Sequence, residues 1–275
     1  MADNYPHGLF SWADLASADP AAAKDFYSAL FEWDAVDQTD PEGNYIYTLF
    51  SKDGKMTAGL GPQPEMMAGM PPVWSSYINV NSVDDVVAKA TAAGANTLGA
   101  AMDVMDSGRM AFLADPAGAV FGLWQPGTHR GADLLTGPGA MTWNELATRD
   151  TAAAREFYGS ILPWDFESFA GENADGSTPP EYWVIKLPTK VDGDGDADDD
   201  FNGGIIAMDE NWPAEVPPHW MVYFSVADTD ASAARVTELG GNVSVPPFDT
   251  SAGRIAVVND PHGGTFSIIA PPAGQ

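Results

Sequence analysis

The segments FSWADLASAD (10–19) and MTWNELATRD (141–150) are one stretch of sequence written twice. Trp12 falls on Trp143, Leu15 on Leu146 and Asp19 on Asp150, at a constant offset of 131. Working outward, AAAKDFYSALFEW (21–33) lies over AAAREFYGSILPW (152–164) at the same offset. PPVW (71–74) lies over PPHW (217–220) at offset 146, and SGRMAFLADPAG (107–118) over AGRIAVVNDPHG (252–263) at offset 145. Four blocks in one order make a tandem duplication, and a repeat governs every later assignment of structure. We read a first domain over 8–125, a Gly-containing linker over 126–138 and a second domain over 139–271. The growing offset places two insertions in the second copy, one near Gly171–Thr178 and one at the acidic run Asp192–Asp200.

Within the first copy the local pattern runs strand, helix, three strands, and then repeats. Ser11–Ala16 reads as a strand. Asp19 is a good N-cap and Pro20 suits the first helical position, with Phe26, Tyr27 and Leu30 forming an apolar stripe. Strands are expected at Trp33–Asp37, Tyr45–Phe50 and Met56–Leu60. After the Pro-rich MPPVW segment, Ser75–Val80 reads as a strand and Val83–Ala93 as a helix closed by Gly94. Strands at Thr97–Ala101, Arg109–Ala114 and Val120–Trp124 complete the copy. The second copy follows suit, with helices at Ala152–Ile161 and Ala231–Leu239.

Composition excludes several classes of function. The 275 residues contain no cysteine, which removes disulfides, zinc–thiolate sites and thiol nucleophiles. Thirty-nine acidic residues face twelve basic ones, for a net charge of −27, and such a surface repels nucleic acid and anionic membranes. No apolar run approaches the ~18 residues of a membrane span, and the N-terminus lacks the pattern of a signal peptide. The expectation is a soluble cytoplasmic protein with no nucleic-acid or membrane partner.

The motifs FYSALFEW (26–33) and FYGSILPW (157–164), with LADPAGAVFGLW (113–124) and VNDPHGGTFSII (258–269), resemble the vicinal oxygen chelate superfamily. That superfamily groups glyoxalase I, extradiol dioxygenases and bleomycin-resistance proteins. The duplicated layout looks most like the tandem two-domain actinobacterial proteins of the CFP30B type. The resemblance implies an α+β fold of two tandem domains, each of two βαβββ modules forming a half-barrel around a cavity. It also implies, for metal-using members, a His or Gln in the first strand, a Glu in the fourth, a His in the fifth and a Glu in the last. Here those positions hold Trp12 and Trp143, Ala58–Gly59 and Gly203–Gly204, Ser75 and Met221, and Gly122 and Ser267. None is an ordinary divalent-metal ligand, so no cofactor is expected, with a displaced metal site left open.

Residues two apart on a strand share a face. Asp14 and Glu145 therefore accompany Trp12 and Trp143, and His219 accompanies Met221 and Tyr223. Glu145 and His219 are the candidate acid–base pair, the alternative being a buried hydrogen-bonded pair. Val73 stands where the second copy has His219, so chemistry is expected in the second copy. Candidate ligand-contacting residues are Trp12, Asp14, Trp74, Tyr77, Arg109, Trp124, Trp143, Met221, Tyr223 and Arg254. Aromatic walls suit a flat apolar ligand, though core packing explains the tryptophans equally. Arg109 and Arg254 suit an anionic ligand group, or salt bridges to Asp103 and Asp249. The run VDGDGDADDD (191–200) departs from a calcium loop at its sixth and twelfth positions, Ala197 and Gly203, and reads as a solvated loop. Three functional readings follow: a metal-independent binder of an apolar or aromatic small molecule, a glyoxalase-like lyase, isomerase or hydrolase, or a non-catalytic antigen or interaction protein. The partner expected is a small molecule; the chain is read as a monomer holding a pseudo-symmetric domain pair, with a homodimer left open.

Overall fold

The structure, a computed structural model, describes residues 5–169, 180–188 and 201–272. Both insertions of the second copy, including the whole acidic run, lie outside the described residues. Seventeen strands and four α-helices occur among the described residues.

Each sequence copy contributes one mixed sheet. In the first copy, β1 (Phe10–Ser17), β2 (Asp34–Thr39), β3 (Tyr45–Lys52), β4 (Lys55–Pro62) and β5 (Val73–Asn79) are followed by four more strands. These are β6 (Asn96–Thr97), β7 (Met102–Val104), β8 (Gly108–Ala114) and β9 (Val120–Pro126). The strand order is β2-β3-β4-β1-β5-β9-β8-β6, with β7 also on β8. The second copy has β10 (Met141–Thr148), β11 (Asp165–Phe169), β12 (Tyr182–Lys186), β13 (Phe201–Ala207), β14 (His219–Ser225), β15 (Asn242–Thr250), β16 (Gly253–Asn259) and β17 (Thr265–Ala270). Their order, β11-β12-β13-β10-β14-β17-β16-β15, repeats the first. Among the described residues, neither sheet closes into a barrel.

The helices begin where the caps predict. Asp19 accepts from the Ala22 N–H at 3.0 Å to start α1 (Pro20–Phe31), and Asp150 from Ala153 at 2.9 Å to start α3 (Thr151–Ile161). Ser82 and Asp228 cap α2 (Val83–Ala92) and α4 (Thr229–Glu238) in the same way. Such a cap contributes about 1 kcal/mol. Gly94 and Gly240 follow α2 and α4 in the left-handed region, with φ of 99° and 87°. One expected strand, Thr97–Ala101, is instead split: β6 ends at Thr97, Gly99 takes a φ of 149°, and pairing resumes at Met102. The second copy keeps a single strand there, β15, bent by register shifts near Pro246 and Pro247.

Packing divides the chain into two compact units that cut across the sequence copies. One comprises Met1–Ser11, Ser76–Gly131 and Trp143–Trp220; the other comprises Trp12–Ser75, Ala132–Thr142 and Met221–Gln275. Each unit therefore combines one module from each copy. In the second unit, Phe26, Tyr27, Phe31, Trp33, Phe50 and Leu60 pack in one core with Phe224, Val236, Val258, Phe266 and Ile268. Full burial of such side chains contributes about 1.5–3 kcal/mol apiece.

At the heart of that unit lies a polar knot. The Tyr27 hydroxyl donates to Asp260 Oδ2 at 3.0 Å and accepts from Trp74 Nε1 at 3.0 Å. Asp260 Oδ1 accepts the backbone N–H groups of His262 and Gly264 at 2.8 and 2.9 Å, which shapes the DPHG turn. The other unit repeats it: Tyr158 donates to Asp115 at 3.1 Å, accepts from Trp220 at 2.8 Å, and Asp115 holds Ala117 and Ala119. The FY, PPxW and DPxG motifs are thus one structural device, and burial is complete enough to require every polar group to be paired.

Candidate functional site

A second set of hydrogen bonds recurs around Trp12 and Trp143, the first-strand positions at which the resemblance implies a metal ligand. In β1, Trp12 Nε1 donates to the Tyr47 hydroxyl at 3.2 Å, and that hydroxyl donates to Asp14 Oδ2 at 3.0 Å. In the second copy Trp143 Nε1 donates to the Tyr182 hydroxyl at 3.0 Å, which in turn donates to Glu145. Asp14 pairs with Gly59 in the parallel β1–β4 ladder, and Glu145 pairs with Gly204 in β10–β13. A Cβ built on Gly59 would run into the Tyr47 hydroxyl, and one on Gly204 into that of Tyr182. The tyrosines, reaching over from β3 and β12, occupy the space into which a fourth-strand carboxylate would grow.

The last ligand position behaves alike in the first copy. Gly122 pairs with Tyr77, and a Cβ there would lie 2.7 Å from the Tyr77 ring. In the second copy Tyr223 pairs with Ser267, whose hydroxyl is buried without a protein partner. Indole and phenol donors, glycine and a single carboxylate do not make the convergent anionic or imidazole set a divalent ion needs. Among the described residues, no group of three or more His, Asp or Glu gathers as a metal site would.

The phenols of Tyr47 and Tyr182 are held well above the usual tyrosine range, first by burial and then by the adjacent carboxylate charge. Tyr27 and Tyr158 are raised for the same two reasons, with Asp260 and Asp115 as the charges. Four of the eight tyrosines thus stay protonated in the folded chain while their unfolded counterparts ionise near pH 10. The sign follows: this stabilisation is complete below pH about 10 and is lost as the unfolded chain ionises above it. In an absorbance titration at high pH, at least these four phenols should ionise only with unfolding, and the urea midpoint should fall steeply above pH about 10. A smooth titration of all eight below unfolding would contradict the assignment.

The remaining candidates are placed as follows. The Nδ1 of His219, at the start of β14, shares a hydrogen bond of 2.8 Å with the Pro217 carbonyl, and its ring lies 6.1 Å from Trp212. Its polar contact goes there and not to Glu145, whose proton-donating neighbour is Tyr182. Trp74 is buried in the knot. Trp124 donates to the His129 carbonyl at 3.0 Å and meets the Tyr77 ring edge-on at 6.3 Å. Met221 is half-buried and Tyr223 buried on β14. Arg109 pairs with Asp84 and Asp103, each at 3.0 Å, and Arg254 with Asp230 at 2.5 Å and Asp249 at 2.9 Å. Both guanidiniums are raised above their ordinary range by these partners. Tyr47 and Tyr182 are absent from the sequence-derived candidates, although each recurs, one strand over, beside a recurring glycine.

No helix among the described residues is long and apolar enough to cross a membrane. A profile of the Glyoxalase/Bleomycin resistance protein/Dioxygenase superfamily matches residues 9–123, and a Glyoxalase-like domain profile matches 143–269. CFP32 of Mycobacterium tuberculosis, described as a candidate glyoxylase, is 39% identical over 98% of both chains. The anthracycline biosynthesis protein DauV of Streptomyces sp. is 37% identical over 95% of this chain and 93% of its own. Among solved structures, the Mn(II)-bound glyoxalase of Novosphingobium aromaticivorans superposes with a TM-score of 0.61 at 15% identity, over 96% of this chain and 82% of that one. The 2,3-dioxygenase LapB of Pseudomonas sp. gives 0.60 at 13% identity, over 96% and 93%. Relatives matched along almost the whole length, with a profile on each half, make the chain a two-domain member of the glyoxalase/bleomycin resistance/dioxygenase superfamily.

Proposed function

We propose that this glyoxalase-like protein binds a planar, largely apolar aromatic small molecule through its Trp–Tyr–carboxylate chains, without a divalent metal. The observation that carries the reading is the tyrosine laid over Gly59 and Gly204, which puts a phenol where a metal-using relative has a carboxylate. A phenol hydrogen-bonded to a carboxylate is neutral, and its remaining lone pair suits a ligand hydroxyl better than it suits a divalent cation. The neighbouring indoles supply flat apolar surface. Two relatives along the whole chain carry names from anthracycline biosynthesis, whose chemistry is polycyclic and aromatic.

The test is a titration of intrinsic tryptophan fluorescence with polycyclic hydroxyquinones, with and without chelator. Saturable quenching that chelator leaves unchanged is the expected result. A protein that binds none of them, or binds only with added metal, refutes the reading. A lyase, isomerase or hydrolase reading is favoured by one feature, the pairing of the Glu145 carboxylate with a protonated phenol. In that case Glu145→Gln lowers turnover far more than it weakens ligand binding.

A further inference from the structure

We infer that the first copy carries two surface sites of reversible methionine oxidation, Met66 with Met70 and Met102 with Met105. The inference does not depend on any bound ligand. The chain has no cysteine, so thioethers are its only sulfur. Exposure singles these four out: Met66 is 79% exposed, Met105 75%, and Met70 and Met102 53% each. Met208 is 5% exposed, and the other described methionines are half-buried. The fold does not ask for a thioether at either place. EMMAGM (65–70) falls on NWPAEV (211–216) in the second copy. The Met102–Met110 rung of β7–β8 is matched by a Phe248–Ile255 rung in β15–β16.

Both sites hold these side chains out on a backbone that is bonded within itself. The Met67 N–H donates to the Pro64 carbonyl at 2.8 Å, and the Met70 N–H to the Met67 carbonyl at 3.0 Å. Gln63 Nε2 donates to the Met70 and Pro71 carbonyls at 3.2 and 2.9 Å. Met105 sits in the β7–β8 turn with a φ of 47°, and the Ser107 N–H closes that turn on the Val104 carbonyl at 2.9 Å. A peroxide therefore reaches these sulfurs without unfolding the chain, and susceptibility follows exposure. The sulfur gives an electron pair to one peroxide oxygen and the O–O bond breaks. That oxygen stays on sulfur, and the departing hydroxide takes up the peroxide proton and leaves as water. Sulfur is oxidised to the sulfoxide and the peroxide is reduced. A sulfoxide reductase reverses the change with a pair of thiols, which become a disulfide as the oxygen leaves in water. Each oxidised side chain turns from apolar to polar.

The test is limited treatment of the full chain with hydrogen peroxide, followed by peptide mass mapping. Met66, Met70, Met102 and Met105 should gain oxygen about tenfold faster than Met208, in line with their exposure. The chain oxidised at these four should keep its circular dichroism and melt within about 2 °C of the untreated chain, as surface changes do. Methionine sulfoxide reductase with a dithiol should then restore the original mass. Combining Met66→Leu, Met70→Leu, Met102→Leu and Met105→Leu should abolish the fast phase of oxygen uptake; the mapping of the wild type decides the matter should that variant fail to fold. Oxidation of Met208 at the same rate, a melt lowered by roughly 10 °C, or sulfoxides that the reductase leaves in place would each overturn the inference.

Discussion

Asp260→Ala should destabilise the protein by about 3–5 kcal/mol, and should lower Tm by roughly 10 °C. Asp260 is 3% exposed, yet it organises three donors. Its Oδ1 accepts two backbone N–H groups of the DPHG turn, and its Oδ2 accepts the hydroxyl of the fully buried Tyr27. Hydrogen bonds to a charged group contribute about 1.5–3 kcal/mol each, and orphaned buried donors add a penalty, although the terms do not add fully. Asp260→Asn keeps an acceptor for the turn and should cost markedly less. Asp115→Ala should show the same loss in the other unit, where Tyr158, Ala117 and Ala119 depend on it. Urea unfolding measures both; a cost below about 1 kcal/mol, the level of a surface substitution, would refute the knot.

The second large effect concerns the chain as a whole. Residues 1–138 produced alone should not form a folded monomer. Cutting there leaves Phe31, Trp33 and Phe50 without Phe224, Phe266 and Ile268, and leaves Tyr27 without Asp260. It also removes Gly139, whose carbonyl accepts from Trp33 Nε1 and the Thr57 hydroxyl. Co-expression with residues 139–275 should restore a one-to-one complex with a cooperative melt. The check is gel filtration with circular dichroism; a monomeric, cooperatively melting 1–138 fragment would show that the sequence copies, and not the composite units, are what fold.

The duplication and its modules were legible because the repeated residues are ones the fold cannot exchange. Tyr27, Trp74, Asp115, Tyr158, Trp220 and Asp260 recur since each is a member of a buried knot. What the repeat could not convey is which copy supplies each partner. Tyr27 and Asp260 stand 233 residues apart, and no periodicity within a helix or strand encodes that pairing. The same limit governs the site. Strand alternation placed Asp14 beside Trp12 and Glu145 beside Trp143, but the group that bonds both comes from the neighbouring strand. Its trace was a tyrosine and a glycine, each repeated, whose meaning emerges only when β3 lies against β4. Arg109 and Arg254 illustrate a local reading that needed one more contact: Asp103 and Asp249 were in view, whereas Asp84 and Asp230 come from helices α2 and α4.

The most direct test of the account is a crystal structure of the chain with 1,8-dihydroxyanthraquinone, grown from protein purified without chelator. Ligand hydroxyls should lie within hydrogen-bond distance of the Tyr182–Glu145 pair or of the Tyr47–Asp14 pair, with no metal ion between ligand and protein. A metal ion held by Asp14 or Glu145, or a ligand bound away from both tyrosines, would contradict it.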